Sequence, residues 1–197
     1  MLQFSVQIMN APRSIFFLGK PGSGKGTQAK RLSERTGWPV FGAGDQLRDI
    51  AASGTYTGNK IREQMDQGIL VPPWIVRHLF LRILQSNPRS EPIIFDGFNR
   101  KPEEARLIID TSVFLDRPFV VLNIAVSDEE VTARLRGRAR HSGRADDHAI
   151  DVRLEEYATF TEPALEIFRA HGACIDINGA KSPDAVTLEV AQKLGIQ

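Results

Sequence analysis

Short runs of apolar residues alternate along the chain with longer segments whose apolar positions recur every three to four residues. The runs are Ile15–Leu18, Trp38–Phe41, Glu91–Asp96, Phe119–Ala125 and Ala173–Ile177, and each reads as a strand buried on both faces. Helices are expected between them. The first spans Lys25 to Thr36 and is stopped by Gly37. Two more run from Asp45 toward Ser53 and from Lys60 to Gln67, and the stretch between them breaks at Ser53–Gly58. After the Val71-Pro72-Pro73 turn, Trp74–Gln85 carries an apolar stripe of Ile75, Leu79, Ile83 and Leu84. Pro102 opens another helix, and Ser127-x-x-Glu130 has the capping-box spacing for one running to about Arg136. Asp151–Ala170 is helical with a break or kink at Pro163, and Ser182-Pro183 starts the last helix, which ends at Gly195. Strands alternating with helices predict an α/β fold: one domain built on a five-stranded parallel sheet with right-handed crossovers. Residues 1–13 form an extension before the first strand.

Ligands of such a sheet bind beyond the strands' C-terminal ends. There the first strand runs straight into Gly19-Lys-Pro-Gly-Ser-Gly-Lys25-Gly-Thr27. A strand, a glycine turn and a helix N-terminus make a phosphate site: backbone N–H groups face the anion and Lys25 bridges terminal phosphates. Gly26 stands where the general pattern has Ser or Thr, and Thr27 follows one position later. Asp96 closes the third apolar run, the place where an acid holds Mg²⁺, often through water, and Arg100 lies four residues on.

Composition narrows the class. The 197 residues carry 25 Lys+Arg against 24 Asp+Glu, so no global basic field recruits nucleic acid. Of those 25 cations, 18 are Arg, the side chain suited to bidentate phosphate contacts. Arg134, Arg136, Arg138, Arg140 and Arg144 crowd around Gly137 and Gly143, with Arg153 following. They read either as a mobile flap of guanidinium groups or as a solvated helix end or nucleic-acid patch. His141 and His148 read as surface residues, and Asp146 and Asp147 as partners of flap arginines or as a helix cap. The single Cys174 suits a core position and a reducing compartment. With no signal peptide and no run of about 20 apolar residues, a soluble cytoplasmic protein is expected.

Taken together, these residues resemble the adenylate kinase family of nucleoside monophosphate kinases from Ser14 to Gly195. The resemblance lies in the glycine loop with its Gly-Thr ending, Gly44-Asp45-Gln-Leu-Arg48, Met65-Asp-Gln-Gly68-Ile69-Leu70-Val71, Asp96-Gly97-Phe98-Asn99-Arg100, Arg134-Leu-Arg-Gly-Arg138, Arg144-Ala-Asp-Asp147 and Arg153-Leu-Glu-Glu-Tyr157. It implies a P-loop NTPase-like three-layer α/β/α fold with a helical monophosphate-binding insert at 42–71 and a short lid at 137–147, the core being 13–41, 72–136 and 148–197. The implied reaction moves the γ-phosphoryl of ATP, with Mg²⁺, to a monophosphate, most simply AMP. By matching position, Gly22, Ser23, Gly24, Lys25, Gly26 and Thr27 would hold the ATP phosphates, with Arg134, Arg138 and Lys181 toward the adenosine. The monophosphate would meet Ala43, Arg48, Ile69, Leu70, Val71, Gly97, Phe98, Asn99, Arg100, Glu104, Arg144 and Arg153. Lys25, Arg100, Arg138, Arg144 and Arg153 would serve the transfer, and Asp96 and Thr27 the Mg²⁺. The resemblance further implies no structural zinc, no nucleic-acid or membrane partner, and a monomer.

Four positions depart from the family pattern. Gly42-Ala43 replaces Ser-Thr, Asn99 replaces Pro, and Glu104 stands where the adenylate enzymes have a base-reading Gln, with Glu103 beside it. A Gln amide both donates and accepts, whereas an ionised Glu only accepts and suits the donors of guanine. GMP or another monophosphate therefore stays open as acceptor. So do a nucleotide-binding regulatory or RNA-associated protein on the same scaffold, and a P-loop kinase for a small metabolite.

Overall fold

The computed structural model describes residues 12–88, 90–142 and 149–196, with side chains described outside 138–142. Five strands form one parallel sheet in the order β2-β3-β1-β4-β5. They are β1 Ser14–Gly19, β2 Val40–Gly42, β3 Ile93–Asp96, β4 Phe119–Ala125 and β5 Cys174–Asn178. The helices are α1 Lys25–Thr36, α2 Ala43–Ala52, α3 Tyr56–Asp66, α4 Pro73–Ser86, α5 Pro102–Phe114, α6 Asp128–Ser142, α7 Ile150–Glu156, α8 Glu162–Ala170 and α9 Pro183–Leu194. The period-two alternation of β1 sorts its side chains between two cores. Phe16 and Leu18 pack with α2 to α5 and α8, while Ile15 and Phe17 pack with α1, α6 and α9. The three-layer α/β/α arrangement expected from the sequence is therefore present. On the first face Phe16 stacks on Phe95 at 4.7 Å, and Phe80 and Phe98 meet Phe95 edge-on, each at 5.4 Å.

Several boundaries differ from expectation, each for a local reason. Trp38–Phe41 was expected to be buried, but β2 begins at Val40 and forms the sheet's edge, which leaves Val40 exposed and Phe41 half-buried. The α3 helix starts four residues before Lys60 because the Thr55 hydroxyl accepts the Gly58 N–H at 3.0 Å and caps it. The α6 helix runs past Arg136 to Ser142; Gly137 costs it about 1 kcal/mol relative to Ala but does not stop it. Half of the expected capping box forms, with the Glu130 N–H donating to Ser127 Oγ at 3.4 Å while the Glu130 carboxylate turns to Arg134. Pro163 does not break its helix. Instead α7 continues into α8 through a π-helical turn, Tyr157–Thr161, that absorbs the missing proline N–H.

At the strands' N-terminal edge a buried cation ties the sheet together. Arg117, 4 % exposed, donates from Nε to Ser14 Oγ at 2.9 Å and from Nη2 to the Arg13 and Glu91 carbonyls at 2.8 and 2.6 Å. Its Nη1 reaches the Pro88 carbonyl at 3.3 Å. Burial, and then the charge of Arg13, lower its pKa. Among the described residues no helix is long and apolar enough to cross a membrane.

Candidate active site

At the opposite, C-terminal edge a cleft of about 940 Å³ opens over β1 and β3. Its floor is the glycine loop. Gly24 sits at the head of α1 in the left-handed conformation, φ 95°, where an L side chain is strained. Neither a capping side chain nor an acid occupies the first turn of α1, so its N–H groups and its dipole are left for an anion. Gly26 has a separate reason to be glycine. A Cβ there would stand 2.8 Å from Asp96 Oδ2, so any side chain at this point of the loop has to displace the Asp96 carboxylate. Lys25 Nζ rests on the Lys20 carbonyl at 3.3 Å.

Asp96 ends β3 beside the loop, and its Oδ1 is buried with no hydrogen-bond partner among the described residues. An orphaned carboxylate oxygen in a cleft that Thr27 also lines fits a hard divalent cation such as Mg²⁺. Among the described residues no group of three or more His, Cys, Asp or Glu converges.

Cations reach the cleft from separate elements. Arg100 lies under Gly97, donating from Nε to its carbonyl at 2.8 Å. Arg48 of α2 pairs with Asp45 at 2.5 Å on the exposed rim. Arg153 of α7 comes close to the turn after α3: a Cβ on Gly68 would meet Arg153 Cγ and Ala149 Cβ at 2.9 Å. That turn is also held by the Leu70 N–H, which donates to Glu156 Oε2 at 2.8 Å. Arg134 joins three elements, through Glu130 Oε1 at 2.6 Å, the Ser23 carbonyl at 3.2 Å and the Gly179 carbonyl at 2.9 Å.

The cleft thus gathers Gly22, Gly24, Lys25, Gly26 and Thr27, Ala43 and Arg48, Ile69, Leu70 and Val71, Asp96, Gly97, Asn99, Arg100 and Glu104, and Arg134 and Arg153. It does not gather every residue expected there. Ser23 is buried beneath the loop, the Phe98 ring lies in the core against Phe95, and Lys181 pairs with Glu189 at 2.8 Å away from the lining. The Arg138 side chain, Arg144, Asp146, Asp147 and His148 lie outside what is described, as do residues 143–147 of the expected lid. Lys101, Met65, Val76 and Glu156 were missed. Glu156 had one faint signal, its place three residues after Arg153 on the same helix face.

Glu104, 2 % exposed, is the buried acid of this site. Its Oε2 accepts the Lys101 N–H at 3.0 Å at the head of α5. Burial pushes its carboxyl up to about 7, against the downward pull of the Lys101 and Arg100 N–H groups and the Lys101 charge.

A glycine loop, an orphaned carboxylate and converging guanidinium groups are the parts a phosphoryl-transfer site needs. Known proteins bear this out. The adenylate kinase family model matches residues 17–173. The chain is 37 % identical over 194 residues to the adenylate kinase of Thermus thermophilus, covering 95 % of this chain and all of the relative. It is 35 % identical over 185 residues to that of Leptospira biflexa, covering 92 % and 100 %, and 34 % identical over 208 to that of Archaeoglobus fulgidus, covering 90 % and 95 %. A match of this extent, on a chain whose cleft is already built for phosphate, makes it a phosphotransferase and a member of the adenylate kinase family.

Proposed function

We propose that the enzyme moves the γ-phosphoryl of ATP to AMP and yields two ADP, as a cytoplasmic monomer, with residues 42–71 holding the monophosphate and 137–147 closing as a lid. One observation carries this reading: one cleft is lined both by the phosphate-binding loop and by Arg48, Arg100 and Arg153, which come from three different elements. A cleft so lined has cations for two anionic groups.

The acceptor phosphate is largely dianionic at neutral pH, its second pKa being about 6, so no general base is required. An acceptor phosphate oxygen attacks Pγ while the bond from Pγ to the β,γ-bridging oxygen breaks. Its electron pair stays on the departing ADP, and the total charge is unchanged. What catalysis requires is alignment, cations along the spreading negative charge, and exclusion of water. Residues 22–27 hold the donor phosphates through their N–H groups, and Lys25 follows the transferring group. Arg134 packs toward the donor base, with Lys181 farther out, and Arg138 and Arg144 belong to the lid. Asp96 and Thr27 would hold Mg²⁺, which when bound neutralises the β and γ oxygens. Arg48, Arg100 and Arg153 grip the acceptor.

A coupled assay of ADP formation from ATP and AMP tests the reading. Lys25→Ala is expected to lower kcat by about 10²- to 10³-fold, the size typical of one lost transition-state donor. Activity unchanged in that variant overturns the assignment.

A further inference from the structure

A second cavity, of about 700 Å³, lies between the C-terminal end of β4 and helix α8, within the size range of small-molecule sites. It shares no lining residue with the cleft described above, and of the glycine loop only Lys20 borders it. Tyr157 and Ala158 of the π-helical turn, with Pro163 and Leu165 of α8, give it an apolar wall. Single π-helical turns of this kind recur at functional sites.

The polar side of the cavity is unbalanced. Asn123 of β4 lines it and is 5 % exposed. Its Nδ2 donates to Asp176 Oδ1 at 2.7 Å, and because a carboxylate only accepts, the amide cannot be turned the other way. Asn123 Oδ1 is buried with no partner among the described residues. Both cations of the lining are already matched: Lys20 pairs with Asp128 at 2.5 Å, and Arg169 with Glu166 and Asp176 at 2.5 and 2.8 Å. Glu162, exposed at the rim, adds a further carboxylate. Asp128, Glu162, Glu166 and Asp176 thus face only Lys20 and Arg169, and what the cavity lacks is a donor with positive charge.

We propose that this cavity binds a small organic cation, a primary ammonium on a short apolar chain, whose ammonium donates to Asn123 Oδ1 and offsets the charge of Glu162. The chain of the ligand lies against Tyr157 and Leu165. The Tyr157 ring suits such a ligand, since it already has an ammonium in its neighbourhood: Lys20 Nζ is 6.0 Å from the ring centroid. An anion would have to break the ion pairs of Lys20 or Arg169, and a neutral apolar body would leave the buried amide oxygen unmet.

The test titrates the full chain with n-butylammonium chloride and follows the backbone and Asn side-chain amides by NMR. Sodium butyrate and sodium chloride at equal ionic strength are the controls. Saturable shifts at Asn123, Ala125 and Ala158 are expected with the ammonium alone. Asn123→Leu should weaken binding about tenfold or more, the size of a lost hydrogen bond to a charged group. Glu162→Lys, a change on the exposed rim, should abolish saturation, and it keeps the test open if Asn123→Leu fails to fold. Equal saturation by butyrate, a uniform drift without saturation, shifts centred on Gly24 and Arg100 instead, or binding retained in Glu162→Lys overturns the proposal.

Discussion

The two edges of the sheet treat buried polarity in opposite ways. At the N-terminal edge Arg117 is buried, and its Nε, Nη1 and Nη2 donate to a hydroxyl and to carbonyls of the segments leading into β1 and β3. At the C-terminal edge buried polar atoms have no partner among the described residues: Ser23 Oγ, Asp96 Oδ1, both amide atoms of Asn99, and Asn123 Oδ1. Arg77 Nε on α4 is the exception that lies at neither edge. Parallel strands create this asymmetry, since one edge only has to be closed while the other carries the loops that meet the ligand. A polar atom satisfied within the protein stabilises the fold. One kept for a ligand costs stability until the ligand arrives.

The largest effect should come from the C-terminal edge, and it should be on rate alone. Lys25→Ala should lose about 10²- to 10³-fold in kcat while its melting temperature stays within a few degrees of wild type. A large drop in melting temperature there would mean that the lysine supports the fold. Arg117→Met should show the reverse. Its similar volume fills the space but strands several carbonyls, at a cost of about 3 kcal/mol in denaturant unfolding. The fraction that remains folded should turn over at the wild-type rate. A stability loss below about 1 kcal/mol would mean that those carbonyls are satisfied by something else.

This division also decided what the sequence made legible. Strand order, layers and the glycine loop follow from period-two and helical patterning, which is local and repeated. Asp96 and Arg100 were readable because each lies at a fixed offset from an apolar strand. The N-terminal staple was not: Arg117 looks like any turn arginine, and its partners lie 26 to 104 residues away in the chain. Phe98 was misplaced for a related reason, since a motif names a segment and not the face to which each side chain points. Its ring went to the core while the backbone beside it lines the cleft. The reason for Gly26 also needed the fold, because Asp96 is 70 residues distant in sequence and only the pairing of β1 with β3 brings them together.

Glu104 sharpens the comparison as an acid of the functional edge that titrates. Its folded pKa of about 7 lies above the ordinary value of 4.5, so the native state holds the proton more tightly than the unfolded chain does. Its contribution is therefore full below about pH 4.5 and is lost as pH rises toward 7, an amount on the order of 2–3 kcal/mol. Urea unfolding followed from pH 5 to pH 8 should show Glu104→Gln gaining on the wild type as pH rises. Parallel curves would mean that the carboxylate is already ionised and solvated in the native state.

Asn99 should give the smallest effect and the most direct sign. It holds φ 56°, a left-handed conformation that Asn tolerates and Gly adopts freely, and it buries an amide with no partner. Asn99→Gly removes both costs but loosens the unfolded chain and leaves a small gap. The balance favours the variant by about 1 kcal/mol, or about 2–4 °C in melting temperature for a chain of this size. Acceptor affinity should move the other way, because the ligand loses the one amide at its edge. Should Asn99→Gly lose stability instead, the amide belongs with Arg117 among the groups that hold the fold. The contrast between a satisfied edge and a waiting one would then not extend to the acceptor slot.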